Sequence, residues 1–151
     1  MLQIKFSRLR TDPEEVSGDE LSSVVGQASN VFADLEIRGE NSILYEDDAF
    51  PIVELAHHLH EWLHGAMCAG RDFVFDSIFF EEPGEMAIRS SNERWTVTVA
   101  GGRVRAGDYT DAEMARAICD LMEALTERFV SRFHTDLAVT CRTGSCARWR
   151  A

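Results

Sequence analysis

Two stretches of the chain repeat their apolar residues at the spacing of a helix, and the other patterned segments alternate apolar and polar residues as strands do. The first helical stripe occupies about residues 50–65, and the second runs from Thr110 to about residue 134. An amphipathic helix must bury its apolar stripe against another element. The pattern therefore predicts two helices that cover a sheet, which is an α+β arrangement.

Capping signals stand at the start of both predicted helices. The second helix begins with Thr110-Asp111-Ala112-Glu113, which has the form of a capping box. Asp47 and Asp48 can cap the first helix. Pro51 is tolerated in its first turn, because the missing N–H would be unpaired there.

Strand-like patterns recur in seven short segments, at residues 2–6, 31–38, 42–46, 73–80, 86–89, 95–99 and 103–106. Gly101-Gly102 suits a two-residue hairpin loop between the last two of them. Consecutive strands joined by short turns pair antiparallel. We therefore expect a single α+β domain over residues 1–134. It has an antiparallel sheet of about six to seven strands with two amphipathic helices packed on one face, and a basic tail follows at 135–151.

The net charge narrows the possible partners. The chain carries 26 Asp and Glu against 15 Lys and Arg, a formal net charge of −11. A surface of this sign repels phosphate, which argues against binding of nucleic acid or of an anionic membrane. It suits a basic protein partner, because opposite fields speed encounter and disfavour wrong partners.

Hydropathy and the cysteines favour a cytoplasmic location. No segment approaches the run of about twenty apolar residues that a membrane span requires, and the first residues lack the apolar core of a secretory signal. Cys68 and Cys119 are expected to be buried or half-buried reduced thiols. Cys141 and Cys146 could close a small loop if oxidised, but they lack the second pair that a structural zinc site needs. We expect no cofactor.

One motif has catalytic form. His60-Glu61-Trp62-Leu63-His64 matches HExxH on a predicted helix, where two histidines four residues apart can hold zinc and the glutamate can act as the base for a bound water. His57 lies on the same side of the helix.

A catalytic zinc ion also needs a third protein ligand. Met67 and Gly70 occupy the positions where one large class of zinc proteases continues the motif with Gly and His. Glu81, Glu82 and Glu85 lie in a strand-to-turn segment rather than on a second long helix. A zinc-dependent hydrolase using His60, His64 and Glu61 therefore remains the alternative to a non-catalytic helix.

The acidic residues form separate runs that can converge on one edge of the domain. A strand, an acidic turn and a helix follow one another from Ser42 to Ala56, with Phe50-Pro51 at the helix start, and an antiparallel meander and a long C-terminal helix come after. This layout resembles small acidic immunity proteins of bacterial polymorphic and contact-dependent toxin systems. The resemblance implies a non-enzymatic protein that blocks the active site of one toxin, with toxins of basic, nucleic-acid-targeting type the best matched in charge.

As a hypothesis, the toxin-binding surface includes Asp47, Asp48, Glu81, Glu82 and Glu85, with Phe50 as an exposed aromatic anchor. A third reading is an oligomeric scaffold or regulatory module.

Overall fold

A computed structural model describes residues 1–11 and 31–133 of the chain. Seven strands and two α-helices follow one another in these ranges. They are β1 (Gln3–Thr11), β2 (Val31–Arg38), β3 (Ile43–Phe50), α1 (Ile52–His64), β4 (Phe73–Val74), β5 (Met86–Ser91), β6 (Arg94–Val99), β7 (Val104–Tyr109) and α2 (Asp111–Phe133). The α+β class, the seven strands and the two helices predicted from the sequence are confirmed. The predicted tail at 135–151, with Cys141 and Cys146, lies outside the described residues.

The strands form two antiparallel sheets rather than the single sheet that the sequence predicted. One sheet has the order β1-β2-β3 and the other β4-β5-β6-β7. The chain passes directly from β3 into α1, and β4 has only two residues. Within the described ranges, no ladder joins the two sheets. β3 instead lies against β7, the far edge of the second sheet.

The two helices supply much of one continuous core. Helix α1 packs against β2 and α2, while α2 packs against β1 and β6. Leu59 of α1 and Ile118 and Leu125 of α2 are fully buried, as is Ile37 of β2. The stripes identified in the sequence are therefore the buried faces of both helices.

The capping prediction holds for α2. The backbone N–H of Thr110 donates to Glu113 Oε2 over 2.9 Å, and the N–H of Glu113 donates to Thr110 Oγ1 over 3.2 Å, as a capping box requires.

The capping prediction was wrong for α1. Asp47 and Asp48 belong to β3, which continues to Phe50 because Phe50 still pairs with Ala33 of β2. The Asp47 carboxylate accepts the N–H of Ala49 over 2.8 Å. The N-cap of α1 is Pro51, whose ring carries no group that can accept a hydrogen bond from the helix backbone.

Three other local predictions also need correction. The apolar segment 73–80 forms a strand only at Phe73–Val74, and then turns. The last hairpin has a four-residue loop, 100–103, rather than Gly101-Gly102 alone, because Val99 pairs with Val104. Cys68 is exposed, whereas Cys119 is buried as expected. Within the described ranges, neither α-helix has the length and apolarity needed to cross a membrane.

Candidate protein-interaction surface

The hydroxyl of Tyr45 brings two of the predicted acidic residues together. It lies 3.0 Å from Asp47 Oδ2 and 3.1 Å from Glu85 Oε1. Tyr45 and Asp47 are on β3, and Glu85 lies 40 residues after Tyr45, just before β5. A hydroxyl has one hydrogen, so it donates to one carboxylate at a time while both remain within about 6 Å of each other. Two acidic runs that are far apart in sequence thus meet at this edge.

The pKa of Tyr45 is raised far above its ordinary value of 10.0. Partial burial of the ring is the largest cause, and the neighbouring charges of Asp47 and Glu85 add to it, because both effects disfavour a phenolate. Tyr45 is therefore a neutral hydrogen-bond donor between two carboxylates at any physiological pH.

Phe50 is not the exposed anchor that the sequence suggested. Its side chain has 0 % exposure. The ring stacks on Phe75 at 5.4 Å between centroids and also contacts Phe80 and Tyr45. Because β3 continues through Phe50, the ring is directed into the core and cannot reach a partner.

The segment 75–85, which we call the β4–β5 loop, is fastened at both ends and in the middle. At its ends, the N–H of Phe75 donates to Met86 O and the N–H of Gly84 donates to Phe75 O, each over 2.8 Å. In its middle, the buried Ser77 donates its hydroxyl to Glu54 of α1 over 2.9 Å. The loop is therefore held against both α1 and β5.

The β4–β5 loop presents the apolar side chains that sequence reasoning missed. Ile78 is 86 % exposed and Phe79 is 44 % exposed. One edge of the Phe79 ring rests on Phe32 at 4.8 Å between centroids. The sequence held a signal for this, because Ser77 precedes the run and Pro83-Gly84 follows it, and both are typical of a loop.

Acidic side chains surround these two apolar residues in the sequence. Asp76, Glu81 and Glu82 are exposed on the same loop. Between Arg71 and Arg89 the chain carries five acidic residues and no Lys, Arg or His. The β4–β5 loop therefore combines two exposed apolar side chains with several negatively charged ones.

Asp48 does not take part in the contact between Tyr45, Asp47 and Glu85. Together with Asp47 it lines a shallow concavity of about 420 Å³ on the three-stranded sheet, where Asp34, Glu36 and Glu46 add further carboxylates. Arg8 and Arg10 both contact Asp34. The hydrogen bond from Arg8 is the main reason why the pKa of Asp34 lies below its ordinary value. The ion pairs within the described ranges do not include Glu46 or Asp48.

The HExxH residues lie together on α1. The rings of His60 and His64 are 4.5 Å apart between centroids, while Glu61 lies 3.5 Å from the Nε2 of His57. The part of the chain that the structure describes contains no group of three or more His, Cys, Asp or Glu side chains placed to hold a metal ion. Glu85, one of the possible third ligands, is bound to Tyr45 instead.

Burial governs the acid–base behaviour of the central histidine. The Nε2 of His60 is buried, and it has no hydrogen-bond partner among the described residues. Burial is the main cause that lowers the pKa of His60 below its ordinary 6.5, and the neighbouring His64 and His57 act in the same direction. Its partly buried position therefore favours the neutral form of the His60 ring.

A larger groove of about 1,030 Å³ runs between the start of β1 and one face of α2. Its charged lining residues have both signs: α2 contributes Arg116, Arg128, Glu113, Asp120 and Glu123, and β1 contributes Lys5. The groove contains no histidine or cysteine.

Residues 2–131, most of the chain, match the family described as Domain of unknown function (DUF7878). No curated protein matches the chain. No solved structure matches it either. The chain belongs to the DUF7878 family.

Proposed function

We propose that this protein is a non-catalytic immunity protein that binds and neutralises a cognate bacterial toxin. It binds the toxin through the acidic surface at Tyr45. The observation that carries the proposal is the meeting of Asp47 and Glu85 at the Tyr45 hydroxyl. It gathers acidic residues from β3 and the β4–β5 loop into one surface. Such a surface suits docking to a basic protein.

The charge of this surface selects the kind of toxin. A toxin that cleaves or modifies nucleic acid needs a basic substrate cleft, and an acidic inhibitor complements that cleft. The exposed Glu81 and Glu82 extend the negative field beyond the Tyr45 edge. We propose that the protein covers the toxin's active site in the cytoplasm, before the toxin meets its substrate.

The class of partner rests on the resemblance to small acidic immunity proteins, since the family description names no activity. The fold supports this reading in one respect. The interaction residues lie on a strand and on a loop fastened to α1 and β5, so the surface is formed before any partner arrives.

The proposal predicts that a gene next to this one encodes a toxin, and it can be tested with the toxin domain of that predicted protein. Co-expression should restore growth of bacteria that produce this toxin domain, and the purified pair should associate more slowly as salt rises. Glu81→Lys with Glu82→Lys should slow association about tenfold or more at low salt. At 1 M salt, the association rates of the double variant and the unmodified protein should be nearly equal, because charges are screened beyond about 3 Å.

A matched control reverses the same amount of charge elsewhere. Asp120→Lys with Glu127→Lys changes two exposed acids of α2 and should leave the association rate within about twofold of the unmodified protein. If both double variants slow association equally, the effect is one of net charge and the assigned surface is wrong. If no binding occurs, the immunity proposal itself fails.

The zinc-dependent hydrolase remains the second candidate because the rings of His60 and His64 lie 4.5 Å apart on one helix. Elemental analysis of the purified protein separates the two. One tightly held zinc ion per chain that is lost in His60→Ala would favour the hydrolase, whereas a metal-free protein that still neutralises the toxin would favour immunity.

A further inference from the structure

We propose that Ile78 and Phe79 are the apolar anchor of the complex and enter an apolar pocket within the toxin's basic cleft. This inference rests on the proposed immunity function and goes beyond it. The acidic residues attract and orient the toxin, whereas these two side chains hold it.

Ile78 and Phe79 are both exposed apolar side chains. Ile78, at 86 %, has the largest exposed fraction of any large apolar side chain in the described ranges, and Phe79 follows it directly in the chain. A single exposed apolar residue is ordinary on a protein surface. Two in succession at the tip of a loop form a continuous apolar contact. Interfaces typically bind through such a central apolar contact with a polar rim around it.

The backbone around Ile78 and Phe79 is held in place by hydrogen bonds of Ser77. Ser77, directly before Ile78, is only 5 % exposed and donates to Glu54 of α1. The N–H of Phe79 donates to the same Ser77 hydroxyl oxygen over 3.3 Å, and Phe80 packs on Phe50. The backbone on both sides of Ile78 is therefore fixed. A loop that is already in its bound shape loses little conformational entropy when a partner binds.

The charges near Ile78 and Phe79 indicate the kind of partner that these side chains bind. Asp76, Glu81 and Glu82 flank the tip, and no basic residue lies between Arg71 and Arg89. A second copy of this chain would bring the same carboxylates against each other, and an anionic membrane would repel them. A pocket with an apolar floor and a rim of Lys and Arg would bury Ile78 and Phe79 and pair with the acidic residues beside them.

The test uses the full chain and the purified toxin domain that the proposal expects a neighbouring gene to encode, with binding rates measured at two salt concentrations. Ile78→Ser should raise the dissociation rate about ten- to a hundredfold, the cost of leaving one large apolar side chain out of a pocket. The association rate and its dependence on salt should stay as in the unmodified protein. Glu81→Lys with Glu82→Lys should show the opposite pattern, a slower association with little change in dissociation.

Val130→Ser is the matched control, because Val130 is an exposed apolar residue of α2, at 40 %. It should leave both rates unchanged. Since the high exposure of Ile78 means that few contacts within the chain are lost, Ile78→Ser should unfold at the same temperature as the unmodified protein.

The outcomes separate the two proposals. A toxin that binds the unmodified protein and Ile78→Ser with equal dissociation rates would overturn the anchor and leave the immunity function standing. Equal weakening by Ile78→Ser and Val130→Ser would also overturn it. Absence of any binding by the unmodified protein would reject the immunity function, and the anchor with it.

Discussion

Replacing Phe50 with alanine should cost stability rather than partner binding. The Phe50 side chain is completely buried and contacts three aromatic rings, those of Tyr45, Phe75 and Phe80. Phe-to-Ala changes in cores remove about 3–5 kcal/mol of unfolding free energy, because they lose apolar burial and leave a cavity. In a protein of this size, that loss lowers the unfolding temperature by roughly 2–4 °C per kcal/mol.

The measurement is urea unfolding of the unmodified protein, Phe50→Ala and the control Phe79→Ala. Phe79 is 44 % exposed and makes one edge-on ring contact with Phe32, so its removal should cost no more than about 2 kcal/mol. A Phe50→Ala protein that keeps its stability within about 1 kcal/mol but no longer binds its partner would refute the buried placement. It would restore Phe50 as a surface anchor.

Three further predictions concern local features of the fold. Thr110→Ala should lower the unfolding free energy by about 1 kcal/mol through loss of the α2 cap, while Thr126→Ala within the same helix should change it little. Glu93→Gly should raise it by about 0.5–1 kcal/mol, because Glu93 has a φ of +62° and glycine adopts that conformation without strain. In an alkaline titration followed by tyrosinate absorbance, Tyr45 should ionise well above pH 10, the value in the unfolded chain. Stability should then fall as the pH rises above 10, because the unfolded chain releases this proton first.

The elements that sequence patterns predicted well are those whose signal is local. The stripe of α2 and its capping box agree with the structure almost to the residue, since both depend on neighbours within one or two turns. The alternation of Trp95, Val97 and Val99 likewise marks β6, where all three are buried.

The errors arose where contacts between distant residues decide the structure. Phe50 looked like a helix start because Pro51 follows it, but pairing with Ala33 keeps it in β3 and in the core. Residues 75–80 have the apolarity of a strand, yet the bond from Ser77 to Glu54 draws them into a loop against α1. Neither partner can be identified from spacing along the chain.

The candidate surface was foreseeable only in part. The acidic runs are visible in the sequence, and Asp47 and Glu85 do meet in space. Their meeting depends on Tyr45, which no motif singled out. The exposure of Ile78 and Phe79 was not predicted, because a run of apolar residues usually belongs to the buried core.

The bond between Ser77 and Glu54 ties the behaviour of the loop to that of a helix. Glu54 lies in the first turn of α1. The β4–β5 loop is therefore hydrogen-bonded to the N-terminal end of that helix, in addition to its connection to the two-residue β4. The amide of Phe79 donates a hydrogen bond to the Ser77 hydroxyl oxygen. Its rate of hydrogen exchange should therefore match the rates of the amides in the first turn of α1. Loop and helix end would then open as one cooperative unit, and any ligand that steadies one would slow opening of the other.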